Sequence, residues 1–336
     1  MSDGARLETL VRSFSGRRVL VLADLVADEF VYGRVERISR EAPVLILKHD
    51  TTDVRLGGGA NAVHNIRTLG GRPLAFGVLG RDAHGRTLRR LMREKGISLA
   101  GVVDEPGYVT PVKTRILAGR AHSTKQQIVR LDRCQTLPPR SRGRLAVTAA
   151  LGRYRGGVDG VLVSDYGFGL LDERLVRAGV AFARKRRIPV TIDSRFGLLR
   201  FRGMTAVTPN ETEVEEALGI TIGHDLRRLE AAGRKLLALL GCRAVLITRG
   251  SDGMALFEPG QPPLHVPIHG SDEVADVTGA GDTVIATFTL ALAAGASPAE
   301  AAQLANYAGG IVVMKHATAT VSADEILGAV RESLAR

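Results

Sequence analysis

Short, strongly apolar runs recur along the chain and alternate with longer amphipathic segments, and this alternation restricts the possible folds more than any other feature. The apolar runs occupy residues 18–24, 73–80, 159–167, 188–195, 205–210 and 243–250. Segments with helical periodicity occupy residues 85–95, 172–187, 211–218 and 225–240. Strands that alternate with helices predict an α/β fold with a mostly parallel central sheet flanked by helices on both faces. Right-handed crossovers then bring the functional loops to the carboxyl ends of the strands.

Two further regions depart from this alternation of strands and helices, because apolar and polar residues alternate in them without an intervening helix. These regions are residues 29–50 and 108–133. A period of two is typical of half-buried strands, so we predict a small antiparallel β-sheet that projects as a lid. Because the chain shows no internal repeat, low-complexity tract or linker, we interpret the lid as an insertion in a single domain that spans residues 1–336.

The formal net charge of +11 raises the question of whether the chain binds nucleic acid. Its basic residues are spread along the sequence, and the one dense run, residues 184–187, ends a helix-like segment, where cations suit the helix C-terminus. Aromatic residues make up 4% of the chain and Trp is absent, which leaves few side chains for stacking on bases. We therefore expect no nucleic-acid partner, and we interpret the charge as a solvated basic surface together with an anionic small-molecule substrate.

Neither a membrane partner nor a secretory signal is expected. No apolar stretch reaches the roughly eighteen residues that a membrane span requires. Residues 1–18 contain no apolar segment of the kind found in signal peptides. Cys134 and Cys242 are far apart in the sequence and have no metal-ligand spacing, which fits a reducing compartment. The sequence therefore predicts a cytoplasmic protein.

The segment DVTGAGDT, residues 276–283, places flexible backbone and a carboxylate at the start of an apolar helix. The first turn of a helix has unpaired N–H groups and a partial positive charge, so it favours an anion such as phosphate. Gly279, Ala280 and Gly281 allow the backbone to approach that anion closely. A carboxylate at Asp282 disfavours anion binding alone, but it makes chemical sense if it accepts a proton from an attacking hydroxyl. The alternative is an ordinary helix start with an acidic first turn.

Two other polar segments follow strands and have both a functional and a structural interpretation. The segment TPNETEVE offers Asn210 and Glu213 as functional residues, or alternatively as a helix N-cap with an acidic first turn. The segment LITRGSDG contains a strand and a turn with Gly250 and Gly253, which is equally typical of a hairpin connection. Taken one at a time, these segments do not decide between the two interpretations.

The glycine-rich segment LGGGANAVHN, residues 56–65, introduces a further helix and satisfies the pattern G-x-G-x-x-A. A dinucleotide site requires that pattern in a tight turn after the first strand of its unit, whereas here it follows lid-like sequence. It is therefore weak support for a nicotinamide-dependent oxidoreductase. No G-x-x-x-x-G-K-[ST] pattern occurs in the chain, which excludes a P-loop nucleotide hydrolase.

The order of these segments resembles that of the ribokinase/PfkB-like carbohydrate kinases. An early strand that ends in ADLVAD is followed by GGGAN, NETE, TRGSDG and DVTGAGD, and then by a helix that contains ANYAGG. The resemblance covers roughly residues 17–325, and residues 276–282 meet the C-terminal signature of the family closely. It implies a ribokinase-like fold, phosphotransfer to an alcohol group, and ATP and Mg²⁺ as cofactors.

The resemblance also implies roles for individual residues. In such kinases the aspartate that matches Asp282 deprotonates the acceptor hydroxyl, and the amides that match Gly279, Ala280 and Gly281 hold the transferring phosphoryl group. Phosphoryl transfer depends on alignment and charge stabilisation, which this arrangement would supply. The implied ATP-binding residues are Asn210, Glu211, Thr212, Glu213, Thr248, Arg249, Gly250, Gly253 and Asn306.

The same resemblance also implies binding sites for metal ions. The N-x-x-E element implies that Glu213 organises Mg²⁺ through water and through the nucleotide phosphates. Asp276 and Thr278 correspond to a monovalent-cation site in many members of the family, which implies K⁺ as a further cofactor. Asn306 corresponds to a position near the adenine of ATP.

For the sugar, the resemblance implies that Asp28 binds the hydroxyl groups of the acceptor, and that Gly57, Gly58 and Asn61 lie beside it in the substrate site. An ionised carboxylate accepts more than one hydroxyl hydrogen bond, which suits a polyol. Asp24 is a competing candidate for this role and is alternatively a structural residue.

The local segments RVERISREAPVLILK, QQIVRLD, SDYGFG and IDSR resemble kinases that act on D-glycero-β-D-manno-heptose 7-phosphate, the kinase half of bifunctional heptose kinase/adenylyltransferases. Such kinases phosphorylate the C1 hydroxyl to give the 1,7-bisphosphate. A phosphorylated acceptor requires cations, which Lys113, Arg115 and Arg130 on the lid would supply; alternatively, these are exposed strand positions. Arg195 and Phe168 stand where such kinases usually have Lys, and this departure weakens the assignment of the substrate.

Other functions remain open at this stage. Within the same class, the acceptor would be another sugar or sugar phosphate, as in ribokinase- or fructokinase-like enzymes. A non-catalytic sensor of sugar or nucleotide is a further alternative, although the intact GAGD segment argues against it. Because the chain contains no H-x-G-H motif, we expect a stand-alone kinase without a nucleotidyltransferase domain. By analogy with relatives whose lids pair across two protomers, we expect a homodimer.

Overall fold

The computed structural model describes residues 3–119, 125–270 and 276–335. The strands are β1 (Arg18–Ala23), β2 (Leu25–Ile38), β3 (Leu45–Gly58), β4 (Arg72–Gly80), β5 (Ser98–Glu105), β6 (Val112–Gly119), β7 (Gln126–Arg133), β8 (Gly160–Asp165), β9 (Val190–Ser194), β10 (Ala206–Val207), β11 (Ala244–Thr248), β12 (Met254–Phe257) and β13 (Leu264–Val266). The helices are α1 (Asp3–Arg12), α2 (Gly59–Thr68), α3 (Ala83–Glu94), α4 (Arg142–Arg153), α5 (Glu173–Arg186), α6 (Glu211–Leu218), α7 (Leu226–Leu240), α8 (Ala280–Ala293), α9 (Pro298–Val313) and α10 (Ala323–Ala335).

Nine of the described strands form one large sheet, in the order β13-β12-β11-β10-β9-β8-β1-β4-β5. The strands from β11 to β5 in that order pair in parallel, whereas β12 and β13 are added as antiparallel hairpin strands. One apolar cluster packs α1, α2, α3, α8, α9 and α10 on one face, and a second packs α4, α5, α6 and α7 on the other. The predicted α/β architecture, with helices on both faces of a mostly parallel sheet, is confirmed.

Helix α8 is buried along most of its length, as its apolar sequence predicts. Three threonines are also buried in it, and each satisfies its hydroxyl on a carbonyl one turn earlier: Thr283 on Gly279 at 3.1 Å, Thr287 on Thr283 at 2.8 Å and Thr289 on Ile285 at 2.6 Å. The helix is therefore fixed in the core, and its first turn is held at the edge of the sheet. Within the part of the chain that the structure describes, no helix is both long and apolar enough to cross a bilayer.

A second sheet forms the lid, in the order β3-β2-β6-β7. β2 pairs with β3 and β6 pairs with β7 in antiparallel fashion, as predicted, while the central β2–β6 pair is parallel. The lid strands continue closer to the main sheet than the predicted segment 29–50, because β2 begins at residue 25 and β3 ends at residue 58. Residues 120–124 of the other predicted segment, 108–133, lie outside the described residues. The interpretation of the lid as an insertion in a single domain stays a prediction.

The lid joins the main sheet next to the start of α8. Only Asp24 separates β1 from β2, so the chain passes from the carboxyl end of a central strand directly into the lid. β3 returns to the same edge and continues without a break into α2, which packs against α8. The carboxyl ends of the parallel strands, the base of the lid and the first turn of α8 therefore meet at one place.

Candidate functional site

A cavity of about 490 Å³, which we call the main cavity, lies at this meeting point. Ligands of open parallel sheets bind at the carboxyl ends of strands, so this is the expected location. The predicted site residues that line it are Asp28, Gly58, Lys113, Arg115, Arg130, Asn210, Glu213, Thr248, Gly250, Thr278, Gly279, Gly281 and Asp282. It is also lined by Asp165, Tyr166, Asp193, Arg195, Thr208 and Val277, which were not among the predicted site residues. The structure thus brings together residues that are more than 250 positions apart in sequence, such as Asp28 and Asp282.

Asp282 lies in the first turn of α8 and its side chain is almost fully buried, with 2% of the residue exposed. Two side chains donate hydrogen bonds to its carboxylate: Tyr166 Oη at 2.8 Å and Asn61 Nδ2 at 3.1 Å. Burial raises the pKa of Asp282 to about 7, although the hydrogen bonds from Asn61 and Tyr166 and the charge of Lys113 oppose that rise. A carboxyl with such a pKa readily accepts and releases a proton near neutral pH.

The turn that leads into α8 depends on a glycine at position 279. Gly279 has φ of 80°, in the left-handed region, and a Cβ atom there would lie 2.5 Å from Asn61 Nδ2. Asn61 Nδ2 also donates to the carbonyl of Gly279 at 3.4 Å, so one amide side chain on α2 holds both the turn and Asp282. The N–H of Ala280 donates to the carbonyl of Val277 at 3.2 Å, and it is therefore already used within the turn.

Tyr166, which was not predicted as a site residue, lines the main cavity. It follows β8 directly, and its backbone N–H donates to Asp24 Oδ2 at 2.9 Å. Its hydroxyl points to Asp282, and Lys113 Nζ lies 4.3 Å above the centre of its ring. In the sequence, SDYGFG stands out only for its similarity to other kinases. The signal that could have identified Tyr166 is the position of this segment at the end of a central strand.

Asp28 is buried at the base of β2, and two partners fix its carboxylate. Arg115 Nη1 donates to Oδ1 at 2.7 Å and Thr318 Oγ1 donates to Oδ2 at 2.7 Å. Gly57 on β3 is the register partner of Val26, two residues before Asp28, and a Cβ atom at Gly57 would come within 2.5 Å of the Asp28 carboxyl group. The residue type at Gly57 is therefore set by the space that Asp28 occupies, while Gly58 lines the cavity itself.

Asp24, the competing candidate for binding acceptor hydroxyls, is not part of the cavity lining. Its Oδ2 atom accepts hydrogen bonds from the backbone N–H groups of Tyr166, at 2.9 Å, and Phe168, at 3.1 Å. Burial, together with the nearby charge of Asp165, raises the pKa of Asp24 to about 7. These contacts give Asp24 a structural position, in which it holds the turn after β8 that carries Tyr166.

Four basic residues line the lid side and rim of the main cavity. Arg115 is buried and paired with Asp28, whereas Lys113 has no hydrogen bond or ion pair to any described residue. Burial lowers the pKa of Lys113, although the charges of Asp28 and Asp282 oppose that shift. Arg130 is partly exposed and forms a two-contact pair with Asp132 at 2.5 and 2.7 Å. Of these four residues, Lys113 and Arg195 therefore have no ion-pair partner among the described residues.

The opposite wall carries two carboxyl groups that influence each other. Burial raises the pKa of Asp193, at the end of β9, well above its usual value, and the charge of Glu213 adds to that effect. Burial likewise raises the pKa of Glu213 to about 6, although its hydrogen bond from the backbone N–H of Asn210 opposes this. Asn210 Oδ1 in turn accepts from the N–H of Glu213 at 2.8 Å, so the N-cap interpretation of this segment holds alongside its position in the cavity.

A smaller, mostly apolar cavity of about 170 Å³ adjoins the main cavity. Thr248, Gly250, Val277 and Gly281 line both cavities. The predicted residues Gly253, Ala280 and Asn306 line only the smaller one, and Asn306 Nδ2 donates to the carbonyl of Pro267 at 2.8 Å. The hairpin interpretation of LITRGSDG also holds, because β11 and β12 are antiparallel neighbours joined by a 3₁₀ turn at Gly250–Asp252.

The remaining predicted residues lie around these cavities. Glu211 and Arg249 line neither cavity and form an ion pair at 3.1 Å, and Thr212 is exposed on α6. Asp276 accepts hydrogen bonds from the backbone N–H groups of Thr278, at 2.9 Å, and Ala317, at 3.0 Å, and thereby ties the turn before α8 to the loop after α9.

The sequence matches a known family and several curated proteins. The profile of the "pfkB family carbohydrate kinase" group matches residues 19–129 and 182–325. The "Bifunctional protein HldE" of Geobacter sulfurreducens is 40% identical over 327 residues, which is 96% of this chain and 65% of that protein. The protein of the same name from Caulobacter sp. is 42% identical over 96% of this chain and 64% of its own length. The chain thus spans less than two thirds of these relatives.

Solved structures show the same fold at lower sequence identity. A structure of Arabidopsis thaliana ribokinase complexed with ribose and ATP has a TM-score of 0.71 and 22% identity, covering 94% of this chain and 99% of that one. Phosphofructokinase-2 from Escherichia coli in complex with potassium has a TM-score of 0.73 and 18% identity, covering 96% of this chain and 100% of that one. At these identities the similarity establishes the ribokinase-like fold.

Proposed function

The chain belongs to the pfkB family of carbohydrate kinases, and from that premise we propose that it transfers the γ-phosphoryl group of ATP to the C1 hydroxyl of D-glycero-D-manno-heptose 7-phosphate. The main cavity is the observation that carries this proposal. Its lining combines a buried carboxyl with a pKa near 7, a carboxylate suited to sugar hydroxyls and cations suited to a phosphorylated acceptor. The similarity of the lid segments and of IDSR to heptose 7-phosphate kinases selects the sugar.

In the proposed reaction Asp282 is the general base. Its carboxylate takes the proton of the C1 hydroxyl while the C1 oxygen forms a bond to the γ-phosphorus and the bond from that phosphorus to the β–γ bridging oxygen breaks. The products are the 1,7-bisphosphate, ADP and a protonated Asp282, which returns its proton to solvent. The amides of Gly279 and Gly281, at the positive end of α8, stabilise the charge on the phosphoryl oxygens, while the Ala280 amide already has a partner in the turn.

The acceptor is held by the base of the lid. Asp28, oriented by Arg115 and Thr318, retains lone pairs for sugar hydroxyls. Lys113, with Arg130 and Arg195 at the rim, receives the 7-phosphate. Asn61 acts on the base rather than on the sugar, because its side-chain amide is committed to Asp282 and Gly279.

ATP occupies the two adjoining cavities, with its base in the apolar one near Asn306 and its phosphates beside Thr248 and Gly250. The residues that fit Mg²⁺ are Glu213, acting through water, and Asp193: both supply hard oxygen ligands, and Asp193 has no hydrogen-bond partner among the described residues. When bound, Mg²⁺ neutralises phosphate charge during the transfer.

A monovalent cation such as K⁺ near Asp276 and Thr278 is a further part of the proposal. Both oxygens of Asp276 accept backbone N–H groups, and a carboxylate fixed in this way supports the proposed cation position. Comparison of kinase activity in potassium and in lithium salts tests the assignment.

We further propose a cytoplasmic homodimer that pairs through the lids. Large apolar side chains are exposed on the lid strands and on the turn between β2 and β3, with Ile38 at 67%, Val44 at 55% and Leu131 at 57% exposed. Light scattering on the purified protein tests this assembly, and Ile38→Asp is expected to produce a monomer.

A panel of acceptors tests the substrate. Coupled ADP release is measured with heptose 7-phosphate, fructose 6-phosphate, ribose and fructose, and with Asp282→Asn as the inactive control. We expect turnover of heptose 7-phosphate with the highest kcat/KM. Turnover of unphosphorylated sugars alone would favour the ribokinase- or fructokinase-like alternative and remove the phosphate-binding role of the cations.

A further inference from the structure

A cavity of about 480 Å³ lies at the end of the main sheet that is opposite to the main cavity. Arg18 begins β1 and Arg72 begins β4, so this cavity opens at the amino ends of the central strands. We call it the arginine cavity, and its polar lining comprises Arg18, Arg67, Arg72, Gly96, Ser98 and Tyr154. None of the described residues that line it is acidic.

The two strand-end arginines are direct neighbours. Arg18 and Arg72 are register partners on adjacent parallel strands, which places their side chains side by side on the same face of the sheet. Like charges in this position repel each other. Neither side chain forms an ion pair with a described residue. The nearby carboxylate of Asp159 is already used, because it accepts from the backbone N–H of Arg18 at 2.7 Å and pairs with Arg17 at 3.4 Å.

A third guanidinium is held in place at the same cavity. Arg67 Nε donates to the carbonyl of Lys95 at 3.1 Å, and the guanidinium group lies against Gly96. This single contact orients the group and leaves its remaining N–H donors free for a ligand. Tyr154 Oη likewise has no hydrogen-bond partner among the described residues. The cavity is therefore lined by several side-chain hydrogen-bond donors that no described acceptor satisfies.

From this arrangement we propose that the arginine cavity binds the phosphate group of a small anionic metabolite. The forked donors of arginine match phosphate oxygens, and a doubly charged anion removes the repulsion between Arg18 and Arg72. The site is separate from the main cavity: the length of β1 lies between them, roughly 15–20 Å at the usual rise per residue. A ligand bound here stabilises the folded protein without occupying the acceptor or ATP positions.

Thermal unfolding with inorganic phosphate, and in parallel with glycerol 3-phosphate, tests the proposal. The phosphate-dependent rise in Tm is expected in the wild type and in Lys113→Ala, which alters only the main cavity. In the double variant Arg18→Gln/Arg72→Gln, the apparent affinity is expected to fall roughly tenfold or more, because two charge-assisted contacts are lost. The matched control is Arg177→Gln, which removes an exposed arginine on α5 whose one ion pair among the described residues is with Glu173, and it should leave the rise intact.

The double variant also reports on folding, because relief of the repulsion should leave its Tm in phosphate-free buffer equal to or above that of the wild type. Equal affinity for the two probes indicates recognition of the phosphate group alone, and tighter binding of the ester indicates contacts to the organic part; both support the site. Three results would overturn it: an undiminished rise in the double variant, a rise abolished by Lys113→Ala, or stabilisation by heparin but by neither phosphate probe.

Discussion

Replacement of Tyr166 by Phe removes one hydroxyl from the environment of Asp282 and leaves the aromatic ring beneath Lys113 in place. The lost contact is the 2.8 Å hydrogen bond to Asp282 Oδ1, which helps to hold the pKa of Asp282 down against the effect of burial. Asn61 remains as the only donor to the other oxygen among the described side chains. Because the charged form of Asp282 loses more than the neutral form, its pKa should rise above the wild-type value of about 7.

The size of the effect follows from the type of bond. A hydrogen bond to a charged group contributes about 1.5–3 kcal/mol, which corresponds to a rise of about one to two pKa units. At neutral pH the ionised fraction of Asp282 would then fall from about one half to between roughly one tenth and one hundredth. The kcat/KM at pH 7 should therefore fall about 5- to 50-fold, and it should recover towards the wild-type value above the new pKa.

The assay is the pH profile of kcat/KM by coupled ADP release, with the acidic limb fitted to a single ionisation. Tyr307→Phe is the matched control, since it removes a hydroxyl on α9 from a residue that lines neither the main cavity nor the adjoining one. Its acidic limb should coincide with that of the wild type. A Tyr166→Phe profile that is lowered equally at every pH, with an unmoved acidic limb, would refute the role of Tyr166 in setting the basicity of Asp282.

Four further outcomes are expected. Asp282→Asn should lower kcat by roughly 10²–10⁴-fold with little change in ATP affinity, and near-normal turnover would contradict its role as base. The pKa of Asp282 is raised from 3.8 to about 7 in the folded protein, so the folded state binds more protons than the unfolded state between these pH values. The free energy of unfolding of the wild type, measured in urea, should therefore fall as the pH rises through this window, and the fall should be smaller in Asp282→Asn. Gly57→Ala should displace Asp28 and lower kcat/KM for the acceptor roughly 10- to 100-fold, whereas Gly328→Ala, which meets no atom within 4 Å, should be neutral. Arg115→Gln leaves Asp28 buried without its cation and should lower the free energy of unfolding by about 3–5 kcal/mol in urea titrations, and unchanged stability would show that the pair is dispensable.

Most of the sheet could be predicted from sequence because its strands are buried on both faces and therefore read as apolar runs. β1, β8, β9 and β11 lie within the predicted segments, and β4 begins one residue before its predicted segment. β10 is reduced to two residues, Ala206–Val207, because the chain turns at once into the N-cap of α6. The β2–β6 pairing was not predictable from alternation, which fixes which side of a strand is buried but not the direction of its neighbour.

The site was predictable where glycine or a helix start restricts the residue type, as at Gly57, Gly279 and Asp282. Tyr166 and Asp193 were missed because an aromatic residue directly after a strand, or an acidic residue near the end of one, has no distinctive local pattern. Tyr166 and Asp193 matter because of the residues that face them across the cavity, and the positions of α8 and α6 bring those residues there. The choice between Asp24 and Asp28 likewise depends on geometry: both carboxylates are buried four residues apart, but only Asp28 lines the cavity.

The same geometry separates the basic residues of the lid by function. Arg115 pairs with Asp28 at 2.7 Å, so it orients that carboxylate and its own charge is largely neutralised in return. Lys113 has no ion-pair partner among the described residues, and burial lowers its pKa, so its charged form is disfavoured until an anion binds. In the proposed function, the phosphate of the acceptor would supply that anion and favour the charged form of Lys113 beside Tyr166 and Asp282. An unphosphorylated sugar would satisfy Asp28 equally well but would leave Lys113 without an anion, and this difference supports the proposal of a phosphorylated acceptor.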